Sequence, residues 1–255
     1  MKILVVRSGS KGNATIVEHE GCVLLIDMGT SLTAVRDALA SMNMNLMNIN
    51  ALLVTHSHSD HTSGIRYLGP LPIYCSQGTY KSKIHEISFV KPYEKFNIGV
   101  FKITPVEASH DAPNSLGYLI ETNDEKLAYI TDTGYIVERT LKLFKNCDYY
   151  VFESNHDRKM LLQTNRPPML KARIMSDTGH LDNVDSANWM VQLVGEQTKE
   201  IILAHLSEEA NTPEKALETY ARIFRKHKIR RSDIYIHCAS QHEMVEGGKN
   251  ELRRI

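Results

Sequence analysis

Seven residues, Thr55-His56-Ser57-His58-Ser59-Asp60-His61, follow directly on a short apolar run, Ala51–Val54. If that run is a buried strand, His56 and His58 project to the same side, because side chains in extended chain alternate with period two. Asp60 and His61 then stand at the turn into a helix. Neutral imidazole and carboxylate are the ligands that Zn²⁺, Mn²⁺ and Fe²⁺ accept. The spacing can supply two ions, with His56 and His58 on one and Asp60 and His61 on the other. The competing reading is a polar loop with surface histidines. So many donors packed behind one strand point instead to an α/β fold that binds metal at its strand ends.

The rest of the chain fits such a fold. Strands are expected at Lys2–Val6, Ala14–Glu18, Cys22–Ile26, Ala51–Val54, Ile73–Cys75, Phe101–Val106, Gly117–Ile120, Leu127–Ile130, Tyr149–Phe152, Ile201–Leu203 and Ile234–Ile236. Helices are expected at Thr30–Ser41, Val137–Phe144, Leu170–Met175, Val184–Val194 and Pro213–Lys226. Strands come first and then mix with helices, with no linker, which predicts a layered α/β domain with helices outside. One domain over residues 1–255 is expected, with an irregular tail after about residue 240.

Composition narrows the function classes. The chain has 255 residues, 42% hydrophobic and 24% charged, which excludes a disordered tail protein and a disulfide-stapled module. Thirty Lys and Arg balance thirty Asp and Glu, so any binding to nucleic acid has to come from a local patch. Cys22, Cys75, Cys147 and Cys238 are scattered and suggest neither disulfides nor a cysteine zinc site. No apolar run is long enough for a membrane span, and no signal-peptide pattern opens the chain. A cytoplasmic protein is expected.

Four more donors fall near strand ends or a helix start. His110 follows Phe101–Val106, Asp132 follows Leu127–Ile130, His205 follows Ile201–Leu203, and His180 precedes the helix Val184–Val194. Ligands at the ends of adjacent strands converge on one crevice.

This ordered set resembles the metallo-β-lactamase fold hydrolases, which are αββα four-layer sandwiches with a dinuclear metal centre. The resemblance runs from Asp27, in Leu25-Ile26-Asp27-Met28-Gly29, to His205. It implies that His56, His58 and His110 hold one ion and that Asp60, His61 and His205 hold the other. Asp132 would bridge them, and Asp27 would support the metal loop. The ions would be Zn or Mn, with Fe a further option, and a bridging hydroxide would be the nucleophile, aimed by Asp60. A diiron redox use fits less well, because that relative typically has a glutamate where His58 stands.

Further segments are similar to the YycJ/WalJ branch: Ser8-Gly9-Ser10-Lys11-Gly12-Asn13, Val151-Phe152-Glu153-Ser154-Asn155-His156-Asp157, Gly179-His180-Leu181, and Ala204-His205-Leu206-Ser207 with Asn211-Thr212-Pro213. That resemblance implies 5′-to-3′ exonuclease action on DNA and a link to a cell-wall two-component regulon. The alternative on the same fold is a small-molecule hydrolase acting on a cyclic phosphodiester, thioester or lactone.

Several residues carry two readings. His180 can donate a proton to the leaving alkoxide, or it can be a helix-start residue bonded to the fold. Asn155 and His156 can line the site or orient a ligand, and His156 can equally cap the next helix. Ser10 and Asn13 lie in a loop that can cradle an anion or form a hairpin turn. Two basic runs, Arg158, Lys159, Arg166, Lys171 and Arg173, and Arg222, Arg225, Lys226, Lys228, Arg230 and Arg231, can track phosphates or be solvated faces. His237, Cys238 and His242 form a looser cluster that reads as metal ligands or as an ordinary last strand. His19, His85 and His227 read as surface residues.

Overall fold

The computed structural model describes residues 1–229 and 232–249. The first of its two sheets contains β1 (Lys2–Arg7), β2 (Ala14–His19), β3 (Cys22–Ile26), β4 (Ile49–Leu53), β5 (Ile73–Cys75) and β6 (Ile87–Phe89) in that spatial order. The second contains β7 (Phe96–Ile98), β8 (Phe101–Glu107), β9 (Leu116–Glu121), β10 (Lys126–Ile130), β11 (Tyr149–Glu153), β12 (Glu200–Ala204) and β13 (Tyr235–Cys238), again in order. The chain then returns to the first sheet, where β14 (Val245–Gly248) pairs antiparallel with β1.

Strand alternation builds the layers. On β1, Ile3 and Val5 enter the core between the sheets, whereas Leu4 and Val6 face the opposite way. They pack there with Val35 and Leu39 of α1 (Leu32–Ala40). On β10, Leu127 and Tyr129 join the central core. Ala128 and Ile130 join a third core with Met190 and Tyr220. That outer core is covered by α3 (Glu138–Phe144), α6 (Asn183–Leu193) and α7 (Pro213–Lys226). Between them run the short helices α2 (Ser59–Thr62), α4 (Arg158–Gln163) and α5 (Pro168–Ile174). Both faces of each sheet are apolar, and each fully buried aliphatic side chain contributes roughly 1.5–3 kcal/mol. The result is the expected αββα sandwich.

The differences from the sequence reading have local causes. The first helix begins at Leu32 because the Ser31 hydroxyl caps it by accepting from the Ala34 N–H. The tail expected to be irregular instead supplies β14. Its Val245-Glu246-Gly247-Gly248 lacks an apolar alternation, and its glycines are there for space. A Cβ on Gly247 would fall 2.6 Å from Ile202 Cδ1, and Gly248 has φ +77° against the Met1 carbonyl. The strands β6 and β7 and the helix α4 were also not anticipated. No helix among the described residues is long and apolar enough to cross a membrane.

Strands β10 to β13 are mutually parallel, as are β3 to β6. Their C-terminal ends, with that of β8 for His110, deliver the loops that carry the histidines and aspartates.

Candidate metal centre

The His-rich loop is fixed from beneath before any ligand is considered. Asp27 leaves β3 with φ +58°, and its carboxylate turns under the loop. One oxygen accepts from the Thr55 N–H at 2.8 Å. The other accepts from the Thr55 hydroxyl at 2.8 Å and lies 2.7 Å from His61 Nδ1. A carboxylate can only accept, so Nδ1 of His61 carries the proton and Nε2 is left as a donor atom for a metal. Gly29 completes the support. Its backbone lies so close to the Asp60 carbonyl that a Cβ would fall 1.5 Å from that oxygen.

The other histidines are oriented in the same way. His56 Nδ1 is 3.0 Å from the Thr55 hydroxyl, His110 Nδ1 is 3.2 Å from the Gly179 carbonyl, and His205 Nδ1 is 3.3 Å from Glu153 Oε1. Each leaves Nε2 toward the centre. His58 differs, presenting Nδ1 3.3 Å from His110 Nε2. Asp132 and His205 follow β10 and β12 with φ +54° and +57°. This left-handed conformation is costly for residues with a Cβ, and such residues gather at functional sites.

The donors meet in overlapping groups. The ligand atoms of His56, His58 and His110 lie within 4.8 Å of one another, as do those of Asp60, His61 and His205. Asp132 lies between the two groups. One oxygen is 3.1 Å from His61 Nε2, and the other is 3.3 Å from His205 Nε2 and 3.9 Å from His110 Nε2. His56 Nε2, His205 Nε2 and Asp132 Oδ2 are buried with no hydrogen-bond partner. Buried polar atoms are rarely left so, because each costs on the order of 1–3 kcal/mol. A divalent cation would satisfy all three, so the donor set fits a metal site.

Electrostatics separate the histidines. Burial, helped by neighbouring His61, drives the His56 pKa far down and keeps that imidazole neutral. His61 is held well above its usual value, since Asp27 and Asp132 overcome the cost of burial. Burial also opposes charge on His180, but Glu153 reverses it and lifts the value to about 9. Glu153 lies 2.7 Å from His180 Nδ1 and accepts from the Thr133 N–H at 2.6 Å. It is fully buried opposite two histidines, and the sequence assigns it no role of its own. Its signals are its place in the segment Val151–Asp157 and as the charged end of the otherwise apolar strand Tyr149-Tyr150-Val151-Phe152-Glu153.

The remaining expected residues separate clearly. His180 does not open the helix. Asp182 caps α6, and His180 stacks on His205 at 5.1 Å beside the cavity. Ser10 and Asn155 line that cavity. Asn155 donates to the His205 carbonyl at 2.8 Å. Asn13 is buried, exchanges hydrogen bonds with the Gly9 backbone, and sits 2.9 Å from His61 Nε2. The loop is thus a hairpin turn that also braces the metal loop. His156 lies outside the cavity with Nδ1 3.3 Å from Asn155 Oδ1. It caps no helix, because the Asp157 carboxylate caps α4.

His237, Cys238 and His242 do not converge. Their partners are Glu200 at 2.9 Å, the Pro213 carbonyl at 3.7 Å and Glu208 at 2.5 Å, respectively. His85, expected at the surface, is buried with Nδ1 2.7 Å from the Ser82 hydroxyl. The first basic run divides. Arg166 and Arg173 line the cavity, paired with Glu209 and Asp111, whereas Arg158 pairs with Asp182 and Asp185. In the second run, Arg222, Arg225, Lys226 and Lys228 are exposed, and Arg230 and Arg231 lie outside the described residues.

Residues 23–206 match the family described as the beta-lactamase superfamily domain. The chain belongs to that superfamily and is a metal-dependent hydrolase of the metallo-β-lactamase fold. Within it, the kinship is with the YycJ/WalJ branch. The chain is 36% identical over 230 residues to exodeoxyribonuclease YycJ of Bacillus anthracis, covering 86% of this chain and 87% of the relative. It is 33% identical over 233 residues to exodeoxyribonuclease WalJ of Streptococcus pneumoniae, covering 84% and 85%. In three dimensions it resembles the metallo-beta-lactamase fold protein YhfI of Bacillus subtilis, with TM-score 0.74, 16% identity, and coverage of 96% of this chain and 99% of that one. Human tRNase Z, short form, shares the fold with TM-score 0.64 at 15% identity, covering 96% and 98%.

Proposed function

We propose that this chain is a dinuclear-metal phosphodiesterase that removes nucleotides from the 5′ end of DNA. The observation that carries the reading is the sharing of Asp132 between two groups of donors, His56, His58 and His110 on one side and Asp60, His61 and His205 on the other. The names of the YycJ and WalJ relatives support DNA as the substrate. A cytoplasmic setting and the link to a cell-wall regulon belong to the same proposal and rest on that kinship.

Two divalent ions, Zn or Mn, would supply hydroxide at neutral pH and offset the charge that grows on a phosphate in the transition state. The protein's own groups do the rest. Asp27, Thr55, Gly179 and Glu153 hold the imidazoles in register. The Asp60 carboxylate, partly exposed in the first turn of α2, would aim the attacking hydroxide by accepting its hydrogen bond. Glu153 holds His180 through Nδ1, so Nε2 is the nitrogen that can protonate the leaving oxygen. Arg166 and Arg173, held in the cavity wall by Glu209 and Asp111, are the guanidinium donors that a phosphate backbone would meet there.

The test is hydrolysis of 5′- and 3′-labelled duplex DNA with Mn²⁺, beside an Asp132→Ala control. Mononucleotide release from the 5′ end, abolished by the substitution, is the expected result. Turnover of a cyclic phosphodiester or a thioester, with DNA left intact, would overturn the reading.

A further inference from the structure

Four of the seven donor residues are deep: His56, His61, Asp132 and His205 are each at most 4% exposed, whereas the side chains of His58 and Asp60 are 36% and 23% exposed. The cavity beside them has a volume of about 440 Å³. That is near the lower end of the roughly 300–1,000 Å³ that holds one small ligand. One nucleotide-sized group fits. A base pair with both of its strands does not, since the grooves of the duplex alone are about 6 and 12 Å wide. A phosphodiester at a duplex end therefore reaches the centre only after its nucleotide has left the stack.

One wall of the cavity is suited to that task. Residues 158–175 contain five cations, Arg158, Lys159, Arg166, Lys171 and Arg173, and no Asp or Glu, in a chain whose charges cancel only when this segment is counted. On the inner side of this segment, Arg166, Leu170, Arg173 and Ile174 line the cavity. Leu161 and Ile174 pack with Ala210 in a small separate core. Near the end of α4, Leu162 is 59% exposed, and near the start of α5, Met169 is 87% exposed. Single exposed apolar residues need no explanation. Here two of them stand on a segment that carries only positive charges of its own and lends four residues to the cavity wall, where Arg166 and Arg173 are held by Glu209 and Asp111. Apolar side chains beside backbone-binding arginines are the pairing that proteins use to unstack a duplex step.

We propose that the α4–α5 segment is a strand-separating element: Leu162 and Met169 pack against the terminal base pair of duplex DNA while Arg166 and Arg173 draw the freed strand into the cavity. This rests on the nuclease reading given above.

The test compares wild type with a Leu162→Ser/Met169→Ser variant, whose changes are at the surface and leave the core intact. Two substrates are used, a blunt duplex and the same duplex with its terminal pairs mismatched. The variant is expected to hydrolyse the blunt duplex roughly tenfold more slowly. It should match wild type within about twofold on the mismatched one, where no unstacking is needed. A second readout uses a phosphorothioate-ended duplex with 2-aminopurine in the terminal pair. Wild type should raise its fluorescence, and the variant should not. Unchanged blunt-end hydrolysis, equal loss on both substrates, or a retained fluorescence rise would overturn the proposal while leaving a nuclease. Wild type that cleaves neither substrate would remove the nuclease reading, and this proposal with it.

Discussion

The two ends of strands β10, β11 and β12 both bury ionisable groups, yet they are built to opposite rules. At the N-terminal end, Glu125 is 2% exposed and fully engaged. It lies 2.5 Å from the Met1 amino group and 2.7 Å from the Tyr149 hydroxyl, with Lys199 and Lys249 each at 3.4 Å. Asp148 beside it pairs with Lys199 at 2.8 Å and accepts from the Lys126 N–H. Glu125 and Tyr149 keep no buried polar atom without a partner; at the margin of the cluster, Glu121 on β9 pairs one oxygen with Lys126 and leaves the other without a hydrogen bond. At the C-terminal end, Asp132 and His205 each do, as does His56, which reaches the same centre from the end of β4. A closed network stabilises the fold, and an open one is costly unless something binds there. The same three strands thus carry a closed cluster at one end and an open group of metal-compatible donors at the other.

Substitutions at the two ends should have unequal consequences. Asp132→Ala removes the group shared by both donor sets. Turnover should fall by roughly three orders of magnitude, about 4 kcal/mol of transition-state stabilisation, with far-UV circular dichroism unchanged. A variant within tenfold of wild type would show that the open end is not the reaction centre. His180→Ala should lower turnover roughly 10²-fold while metal content holds. The loss should shrink on a p-nitrophenyl phosphodiester, whose leaving group needs no proton. Metal loss in that variant would make His180 a ligand.

Asp27→Asn keeps the shape but weakens the acceptor for His61 Nδ1. Metal affinity should drop about 10- to 100-fold, read by competition with a chromophoric chelator. Equal affinity would mean that the loop is held without the Asp27 charge. At the closed end, Glu125→Gln should cost roughly 1–3 kcal/mol of unfolding free energy and leave turnover untouched. Its pH dependence has a definite sign. Burial pushes the Glu125 carboxyl up, but the Met1 amino group and the Tyr149 hydroxyl outweigh it and hold the value at about 2, below the ordinary 4.5. The stabilisation is therefore complete above about pH 4.5 and is lost as pH falls toward 2. Denaturant titrations of wild type and variant should converge over that range, and parallel curves would remove Glu125 from the closed network.

The open end was the more legible of the two. Its donors are histidines and aspartates at the ends of apolar runs, a pattern that alternation and composition rarely produce, so His56 to His61, His110, Asp132 and His205 could be named before the fold was seen. Glu153 could not be assigned a role. A carboxylate ending a strand reads as solvent-facing until His180 and His205 are brought against it from 27 and 52 residues away. The closed end gave no warning at all. Asn123-Asp124-Glu125-Lys126 reads as an ordinary polar turn, and its partners come from Met1, Tyr149 and Lys199. Strand β14 escaped for a related reason, because an edge strand with two glycines is defined by the neighbour it pairs with rather than by its own pattern.

The most direct test is metal stoichiometry by elemental analysis after dialysis against Zn²⁺ or Mn²⁺, on wild type, Asp132→Ala and Glu125→Gln. A centre in which two donor sets share Asp132 should hold two ions per chain in wild type and in Glu125→Gln, and fewer in Asp132→Ala. One ion or none in wild type, or two retained without Asp132, would contradict it.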